Sequence, residues 1–430
     1  MQGKDRFIMV CLIVVLGVVL VLPALAAPTK VTFWYSYGGR NREVTEELIK
    51  RFNESQPKYR VEGSFQGGYW EALAKFRVAV VSKTAPTIIH VPESVIPKLY
   101  HAGILENLDE YARYKNPVNL NDFTPALTQD GTWDYLGGEK PPLVSIPFNR
   151  STPVMYTNKE MLAEKGVAIP TTWDELRQAA RKLTVKDSAG KIQVYGFEVP
   201  IDWWFWLAML YQGGGQLISQ DGSRAVFEKQ GTEAIQFWVD MVNEEIMKHP
   251  PGKDFNSWEV ANNDFINERA AIIWTSTAFL SYLTDNCPFT IQCAFLPKKV
   301  KYGVPTGGTY FIVWKGASQA EKDGAWAFLK WITELDQTLY WSQSTGYMPV
   351  RLSAINSSKM IEFYQKNPNF VVTLDQLENA LQFPWSPALN DIHRQVIDRI
   401  LEGPVVGLRS AKETMQEAIK EANKFLARYK

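Results

Sequence analysis

The chain has 430 residues, and its 46 Lys and Arg side chains balance its 46 Asp and Glu side chains, so the formal net charge at pH 7 is zero. This balance argues against nucleic acid as a partner, because binding to phosphate backbones calls for a basic face. The length exceeds what a single hydrophobic core usually holds, so two domains are expected.

The N-terminus carries the pattern of a secretory signal peptide. Two basic residues precede an apolar run over 7–22, and alanines at 24 and 26 follow it. We therefore predict a signal peptide over 1–26, cut between Ala26 and Ala27, and a protein that works in the periplasm or outside the cell. A retained membrane anchor is the alternative interpretation, because the apolar run is about as long as a bilayer span.

The first part of the mature chain alternates between strand and helix patterns. The expected strands are 30–35, 59–65 and 87–91, and the expected helices between them are 40–53 and 69–81. A βαβαβ order predicts a parallel sheet with helices on both faces, and ligands bind outside the carboxyl ends of such strands. The loops at 35–39, 66–70 and 92–94 should therefore share one rim.

The rest of the chain has the same α/β character. Thr172 is typical of a helix N-cap, and further helices are expected over 228–247 and 411–426, with strands over 194–199 and 271–274. No linker rich in Ser or Gly separates these elements. This favours lobes joined by several chain crossings over domains strung on a flexible linker.

Cys287 and Cys293 are the cysteines of the mature chain. Two cysteines on a short loop of an exported protein predict a disulfide, with two free thiols as the alternative. The four histidines share no spacing typical of metal ligands; they are His90, His101, His249 and His393. We therefore reject metal binding.

Catalytic signatures are missing from the sequence. It contains no phosphate-binding loop with its Lys, no HExxH helix and no GxSxG elbow. A glycosidase needs only two well-placed carboxylates, so a secreted hydrolase stays open as a minor alternative, but nothing selects a pair. No motif requires a cofactor.

Aromatic residues are abundant, with 15 Trp, 18 Tyr and 22 Phe. Trp203, Trp204, Phe205 and Trp206 are consecutive, and four adjacent bulky side chains cannot all face one core in a helix or a strand. At least one should project away from that core, and a binding cleft is one destination, for which Trp203 and Trp204 are the candidates. The alternative is that all four pack one helix onto its sheet.

Several motifs belong together. They are PFNRSTPVMYTNK at 147–159, QGGY at 66–69, the pair Gly307 and Gly308, STGYMP at 344–349 and FYQKNP at 363–368. Spread over nearly the whole mature chain, they resemble the extracellular solute-binding proteins of ABC importers. Within that family they are most similar to the branch that binds glycerol-3-phosphate and glycerophosphodiesters.

The resemblance implies an α/β fold of the type II periplasmic binding proteins, with two lobes hinged around a central cleft. Following the family pattern, lobe 1 would comprise 28–148 and 274–314, and lobe 2 would comprise 149–273 and 315–430. The ligand would bridge the lobes, and the closed form would dock on the membrane permease of an importer. The chain would act as a monomer, without catalysis and without a cofactor.

The resemblance also implies ligand contacts in addition to Trp203 and Trp204. They are Tyr69, Glu93, Ser151, Ser276 (or Thr277), Gly308 (or Gly307), Tyr347 and Arg394. Arg394 would bind phosphate, Glu93 would accept hydrogen bonds from glycerol hydroxyls, and the Gly308 N–H would face the phosphate. Each residue has a structural alternative: Arg394 as a surface arginine, Glu93 as a helix cap, Gly308 as a turn residue, and the two tyrosines as packed side chains.

The implied ligand is glycerol-3-phosphate or a glycerophosphodiester such as glycerophosphocholine. The 203–206 segment departs from the family pattern beside the phosphate, which favours the phosphodiesters over free glycerol-3-phosphate. A sugar or an oligosaccharide is the alternative ligand on the same fold.

Overall fold

The computed structural model describes residues 27–128, 142–252 and 255–429. The predicted signal peptide, 1–26, lies outside the described residues. Within the described part of the chain, no helix combines the length and the apolar character that a membrane crossing needs.

Strands and helices alternate along the chain. The strands are β1 (Thr29–Tyr35), β2 (Tyr59–Phe65), β3 (Ile88–Val91), β4 (Ile146–Ser151), β5 (Pro153–Asn158), β6 (Val185–Lys186), β7 (Ile192–Val194), β8 (Phe197–Glu198), β9 (Met247–Lys248), β10 (Ile272–Ser276), β11 (Ile291–Ala294), β12 (Val304–Pro305), β13 (Gly307–Val313) and β14 (Ala380–Leu381). The helices are α1 (Gly39–Ser55), α2 (Tyr69–Val81), α3 (Ile96–His101), α4 (Pro125–Thr128), α5 (Lys159–Glu164), α6 (Trp173–Leu183), α7 (Trp203–Gln212), α8 (Glu228–Asn243), α9 (Phe255–Ile266), α10 (Leu280–Asn286), α11 (Gln319–Ile332), α12 (Leu335–Thr345), α13 (Leu352–Ile355), α14 (Ser358–Lys366), α15 (Pro368–Asp375), α16 (Leu389–Asp391), α17 (Asp398–Ile400), α18 (Glu402–Val405) and α19 (Ala411–Leu426). Short 3-10 or π turns join several of them, including 93–95, 277–279 and 392–397.

The first sheet has the strand order β2-β1-β3-β13-β4. The predicted βαβαβ unit is confirmed, because β1 runs parallel to both β2 and β3. The sheet as a whole is mixed and not purely parallel as predicted, since β13 pairs antiparallel with β3 and β4. Strands β4 and β13 come from parts of the chain far from the βαβαβ unit, so the local alternation of strand and helix did not reveal them.

Both faces of the first sheet are covered by helices. Phe33 and the predicted stripe of α1, Val44, Leu48 and Phe52, share one apolar cluster with α11. On the other face, Ile89 packs with residues of α2 and α3. Successive side chains of a strand point to opposite faces, so the central strands β1, β3 and β13 contribute to both clusters and are buried between two helical layers.

The second sheet has the order β11-β5-β10-β8-β9. Its strand β5 pairs antiparallel with β10 and β11, whereas β10, β8 and β9 run parallel. The large apolar cluster on one face includes α7, α8 and α19. The C-terminal helix, predicted over 411–426, has those bounds in the structure, and a capping box between Ser410 and Glu413 fixes its start.

The chain passes between the two sheets at Thr152, which alone separates β4 from β5. The Thr277 N–H donates to the Thr152 carbonyl at 3.0 Å, and the Thr152 N–H donates to Thr277 Oγ1 at 3.3 Å. The Gln376 amide donates to Thr152 Oγ1 at 3.0 Å and to the Pro153 carbonyl at 2.8 Å. The polar groups of this buried crossing are therefore paired within the protein.

The predicted grouping of the chain into lobes stays a prediction, but sheet membership differs from it in two places. β10 and β11, assigned from the sequence largely to lobe 1 with 274–314, pair with β5 in the second sheet. Helix α11, assigned to lobe 2 with 315–430, packs on β1 of the first sheet. Long-range hydrogen bonding and burial decide this membership, and the family pattern did not carry that detail.

Cys287 and Cys293 are free thiols in this structure, so the predicted disulfide is not formed. Cys287 follows the end of α10, whereas Cys293 is buried in β11 opposite Tyr156. Burial raises the pKa of the Cys287 thiol to about 12, and it raises the pKa of the Cys293 thiol as well. Both side chains act as small apolar residues of the cluster beside the second sheet.

A buried acidic residue lies at the end of β8. Glu198 is fully buried, and the Lys248 ammonium lies 3.5 Å from its Oε1 atom while also contacting Asp264. The pKa of Glu198 is raised to about 8, chiefly by burial; Lys248 opposes this rise and neighbouring Asp264 adds to it. The folded protein therefore holds a proton here that the unfolded chain has lost above about pH 5.

This proton makes stability depend on pH. The pKa of Glu198 is higher in the folded protein than in the unfolded chain. The stabilisation that comes from its proton is therefore complete below the unfolded pKa and is lost as the pH rises through about 8. We expect the free energy of unfolding to fall over this window by up to about 1.4 kcal/mol per pH unit. Urea unfolding at several pH values should show this decline in the free energy of unfolding for the wild type. The Glu198→Gln variant should lack it. The exposed Glu164→Gln variant is the control, and parallel pH profiles for wild type and Glu198→Gln would contradict the assignment.

Candidate functional site

A cleft of about 580 Å³ lies between the two sheets. It brings together every ligand contact that the sequence predicted; they are Tyr69, Glu93, Ser151, Trp203, Trp204, Ser276, Gly308, Tyr347 and Arg394. Gly307, the stated alternative to Gly308, lines it too. These residues are up to 325 positions apart in sequence (69 to 394), so only the tertiary fold makes them neighbours.

Glu93 is the first residue of the 3-10 turn that follows β3. Its Oε2 atom lies 3.3 Å from Nη1 of Arg150, a fully buried arginine on β4. Arg150 also donates from Nη2 to Thr306 Oγ1 at 2.6 Å, and its guanidinium lies 4.3 Å from the centre of the Tyr310 ring. Because a carboxylate has about four lone-pair positions, Glu93 can bind Arg150 and still accept hydrogen bonds from a ligand.

Ser151 and Ser276 lie where strands of the two sheets end at the crossing. Ser276 Oγ accepts a hydrogen bond from the Ala278 N–H at 3.1 Å and thereby caps the turn after β10. A hydroxyl that accepts a hydrogen bond keeps its own proton. Ser276 can therefore still donate into the cleft from a position that the cap holds fixed.

The two glycines allow a close approach of the backbone to neighbouring groups. A Cβ on Gly308 would lie 1.7 Å from the Asn149 carbonyl oxygen, and the φ of Gly308 is +91°. A Cβ on Gly307 would lie 2.5 Å from the Trp204 ring. The turn-geometry interpretation of Gly308 therefore applies, and it is compatible with a backbone that faces the cleft.

Tyr69 is oriented by a buried chain of hydrogen bonds. The Ser36 N–H donates to His90 Nε2 at 2.7 Å, and His90 Nδ1 lies 2.6 Å from Thr309 Oγ1. Thr309 donates to Asn149 Oδ1, and the Asn149 amide donates to Tyr69 Oη at 3.1 Å. Because Nε2 accepts, the His90 proton must be on Nδ1, and every later group has a defined direction.

The end of this chain reaches the cleft. Tyr69 Oη accepts from Asn149, and the Tyr347 hydroxyl interacts with both groups. The Tyr347 ring stacks on Trp341 with 5.4 Å between ring centres and 16° between planes. Burial raises the pKa values of Tyr69 and Tyr347, so both are neutral donors. Burial also lowers the pKa of His90 to about 3.

All four side chains of the aromatic segment are buried in one apolar cluster beside the second sheet, so the expectation that they cannot share one core is wrong. Trp203 and Trp204 also line the cleft, where the cluster reaches its wall. Trp204 Nε1 donates to the Thr306 carbonyl at 3.2 Å, and this bond ties α7 to the chain just before β13. The packing interpretation is correct for these residues, because all four side chains are buried.

Arg394 lies on the π-helical segment that follows α16. Its guanidinium lies 4.4 Å from the centre of the Trp70 ring and pairs through Nη1 with Asp398. Burial alone would raise the pKa of Asp398, but His393 and Arg394 hold it below its ordinary value. The His393 ring stacks on Trp203 with 4.5 Å between ring centres. Arg394, only 27% exposed, is therefore not an ordinary surface arginine.

One wall of the cleft was missed by the sequence analysis. Trp258 and Asn262 of α9 line it together with Phe279. The spacing of four between Trp258 and Asn262 places them on one helical face, and two adjacent asparagines on a helix that packs on a sheet were an available signal. Within 27–128, 142–252 and 255–429, no three His, Cys, Asp or Glu side chains gather as they would around a metal ion.

Comparison with known proteins gives a family and a fold. A family model described as bacterial extracellular solute-binding protein matches residues 47–371. The sn-glycerol-3-phosphate-binding periplasmic protein UgpB of Yersinia pseudotuberculosis is 25% identical over 94% of this chain and 93% of that relative. UgpB of Yersinia enterocolitica is 26% identical, with the same coverage of 94% and 93%.

Solved structures with the same architecture share little sequence with this chain. UgpB from Mycobacterium tuberculosis in complex with glycerophosphocholine superposes with a TM-score of 0.81 at 23% identity, covering 93% of this chain and 99% of that one. The GacH receptor of Streptomyces glaucescens gives a TM-score of 0.81 at 20% identity, covering 94% and 100%. The predicted type II periplasmic binding protein fold is thereby confirmed.

The contact at Gly308 predicts a large loss of stability on adding one methyl group. Gly308→Ala should lower the free energy of unfolding by about 3 kcal/mol or more, because positive-φ strain adds to a clash with the Asn149 carbonyl. Gly407→Ala is the matched control: φ is +76° with open space around the Cβ position, so strain alone should cost about 1–2 kcal/mol. Equal losses in urea unfolding would show that the close approach at Gly308 carries no cost.

The hydrogen-bond chain makes His90 a neutral imidazole with its proton on Nδ1. In ¹⁵N-detected histidine NMR we expect this tautomer to persist from about pH 8 to about pH 5, because the pKa of His90 lies near 3. Thr309→Val removes the group that accepts from Nδ1, and it should change the Nδ1 chemical shift. Protonation of His90 in the wild type near the ordinary histidine pKa of about 6.5 would contradict the arrangement.

Proposed function

We propose, from the premise that this chain belongs to the bacterial extracellular solute-binding protein family, that it captures glycerol-3-phosphate or a glycerophosphodiester and delivers it to the membrane permease of an ABC importer. One observation carries the proposal: the cleft gathers an arginine, a carboxylate, several hydroxyls and a glycine backbone that were selected from the sequence for this ligand class. The relatives named as glycerol-3-phosphate-binding proteins support it.

Arg394 would bind the phosphate group. A guanidinium offers a planar fork of donors that meets two phosphate oxygens at once. Here the Trp70 face and the Asp398 carboxylate hold that fork at the wall of the cleft. Asp398 is itself an anion, so its position behind the guanidinium orients Arg394 without requiring contact with the ligand.

Neutral donors and one carboxylate would complete the recognition of the glycerol end. Ser276 keeps a proton to donate, because its other hydrogen bond is an accepted one, and the neutral hydroxyl of Tyr69 lines the same cleft. Glu93 would accept from ligand hydroxyls, and its charge would disfavour a ligand with a second anionic group nearby. The cleft volume of about 580 Å³ is within the range of pockets that bury drug-sized ligands, which favours a phosphodiester over the smaller free glycerol-3-phosphate.

A sugar or oligosaccharide is the second candidate ligand, and the aromatic wall favours it. Trp204 and Trp258 lie 5.6 Å apart between ring centres with 31° between planes, and both line the cleft. Aromatic faces of this kind pack well against the C–H groups of sugar rings. A solved structure of the same fold, MalE3 of T. maritima, was determined with maltose bound.

The proposal requires binding and release, without covalent chemistry. The ligand would touch residues of both sheets and thereby favour the closed arrangement, in which alone it makes all its contacts. The protein would act as a monomer in the periplasm or outside the cell, after removal of the predicted signal peptide. The permease subunits of the importer would be its protein partner, and no nucleic acid or cofactor takes part.

Isothermal titration of the mature chain tests the ligand class. We expect glycerophosphocholine and glycerol-3-phosphate to bind, and we expect Arg394→Ala to weaken both by about 100-fold or more, because an ion pair with phosphate is lost. Arg399→Ala is the matched control, since Arg399 lies five residues on and is 60% exposed. Undiminished phosphate binding by Arg394→Ala would remove Arg394 from the site, and binding of maltose alone would replace the phosphorylated ligand with a sugar.

A further inference from the structure

Helix α9 presents a polar and aromatic face to the cleft. None of the nine predicted contacts lies on this helix. Trp258, Glu259, Asn262 and Asn263 of this helix line the cleft. Residues four apart lie above one another on a helix, so Trp258 with Asn262, and Glu259 with Asn263, form two adjacent rows. The helix packs on β10, whose last residue is Ser276. Its face therefore adjoins the predicted site.

Asn262 is the unusual member of this face. The residue is only 2% exposed, and its Oδ1 atom has no hydrogen-bond partner among the described residues. Buried polar atoms in folded proteins are almost always paired, because leaving one unpaired costs about 1–3 kcal/mol. The unpaired amide oxygen belongs to a residue that lines the cleft, and this points to a partner on a bound molecule.

Aromatic rings line the same cleft as Asn262. The Trp258 ring stacks on Phe205 with 4.9 Å between ring centres and 29° between planes, and it lies 6.4 Å from the Phe279 ring. Trp258 and Phe279 both line the cleft. The cleft that Asn262 lines therefore also offers flat apolar surfaces that favour contact with C–H bonds.

We propose that α9 forms a second subsite that takes a hydroxyl-bearing part of the ligand, with Asn262 as its hydrogen-bonding residue and Trp258 as its packing surface. A hydroxyl both donates and accepts, so it can pair with the amide in either of its two orientations. A trimethylammonium group can do neither and would leave the amide unpaired. The subsite therefore selects polyol head groups over choline.

This inference rests on the proposed function and makes it more specific. If Arg394 binds the phosphate and the predicted contacts bind the glycerol, the second alcohol of a phosphodiester would occupy the α9 subsite. The favoured ligands are then glycerophosphodiesters of polyols, such as glycerophosphoglycerol or glycerophosphoinositol. Free glycerol-3-phosphate would leave the subsite empty.

The test compares ligands and variants by isothermal titration of the mature chain. Glycerophosphoglycerol should bind more tightly than glycerophosphocholine to the wild type. Asn262→Leu should weaken binding of glycerophosphoglycerol about tenfold, the usual effect of one lost hydrogen bond to a buried partner, with little change for glycerol-3-phosphate. Asn256→Leu, the same change at an exposed position of α9, is the control and should leave every affinity unchanged.

Thermal unfolding separates a binding role from a structural one. Because Asn262→Leu removes an unpaired buried amide, it should not lower the melting temperature while it weakens the polyol ligand. If the larger side chain disturbs packing, Asn262→Ala provides the same loss of the amide without added bulk. Equal weakening of all ligands, or no weakening of glycerophosphoglycerol by either variant, would overturn the subsite.

The failure of the proposed function gives a different result. If no phosphorylated compound binds the wild type but maltose does, the phosphate assignment fails. Weaker maltose binding in Asn262→Leu would then still support a hydroxyl subsite on α9, and unchanged maltose binding would overturn it. If neither class of ligand binds, both proposals are overturned.

Discussion

The site depends most on the pairing of the buried Arg150 guanidinium with its neighbours. A charge without exposure to water must be paired within the protein, and Arg150 finds its partners in Glu93 after β3 and in Thr306 before β13. These contacts join three segments that are far apart in sequence. They hold the Glu93 carboxylate at the rim of the first sheet and fix the chain where it returns from the second sheet.

The crossing between the sheets at Thr152 lies two residues after this arginine. Thr152 and Thr277 exchange hydrogen bonds, and Gln376 bonds to the same short segment. Ser151 and Ser276, two of the predicted contacts, are the last residues of their strands at this junction. Any rotation of one sheet against the other would therefore move these hydroxyls only slightly, whereas residues on the outer walls, such as Arg394 and Trp258, would approach or leave the ligand.

The cleft has a charged wall and a neutral one. Arg394 is held by Asp398 and Trp70 on one wall, while the Tyr69 hydroxyl lies at the end of the neutral chain that runs through His90 and Asn149. Since burial keeps the pKa of His90 near 3, the direction of each hydrogen bond in that chain stays the same at physiological pH. A donor that never reverses its direction discriminates ligands by geometry alone.

The sequence by itself determined the local elements and, through the family motifs, the members of the cleft. Helix α2 over 69–81 and helix α19 over 411–426 have their predicted bounds, because periodic apolar residues and caps act within a few positions of one another. The tertiary structure alone decided the antiparallel position of β13, the free state of Cys287 and Cys293, the Arg150 contacts and the wall formed by α9. Apart from the state of the two cysteines, these features depend on groups brought together across long stretches of chain, such as the 224 positions between Thr152 and Gln376, and no local pattern of residues encodes such a pairing.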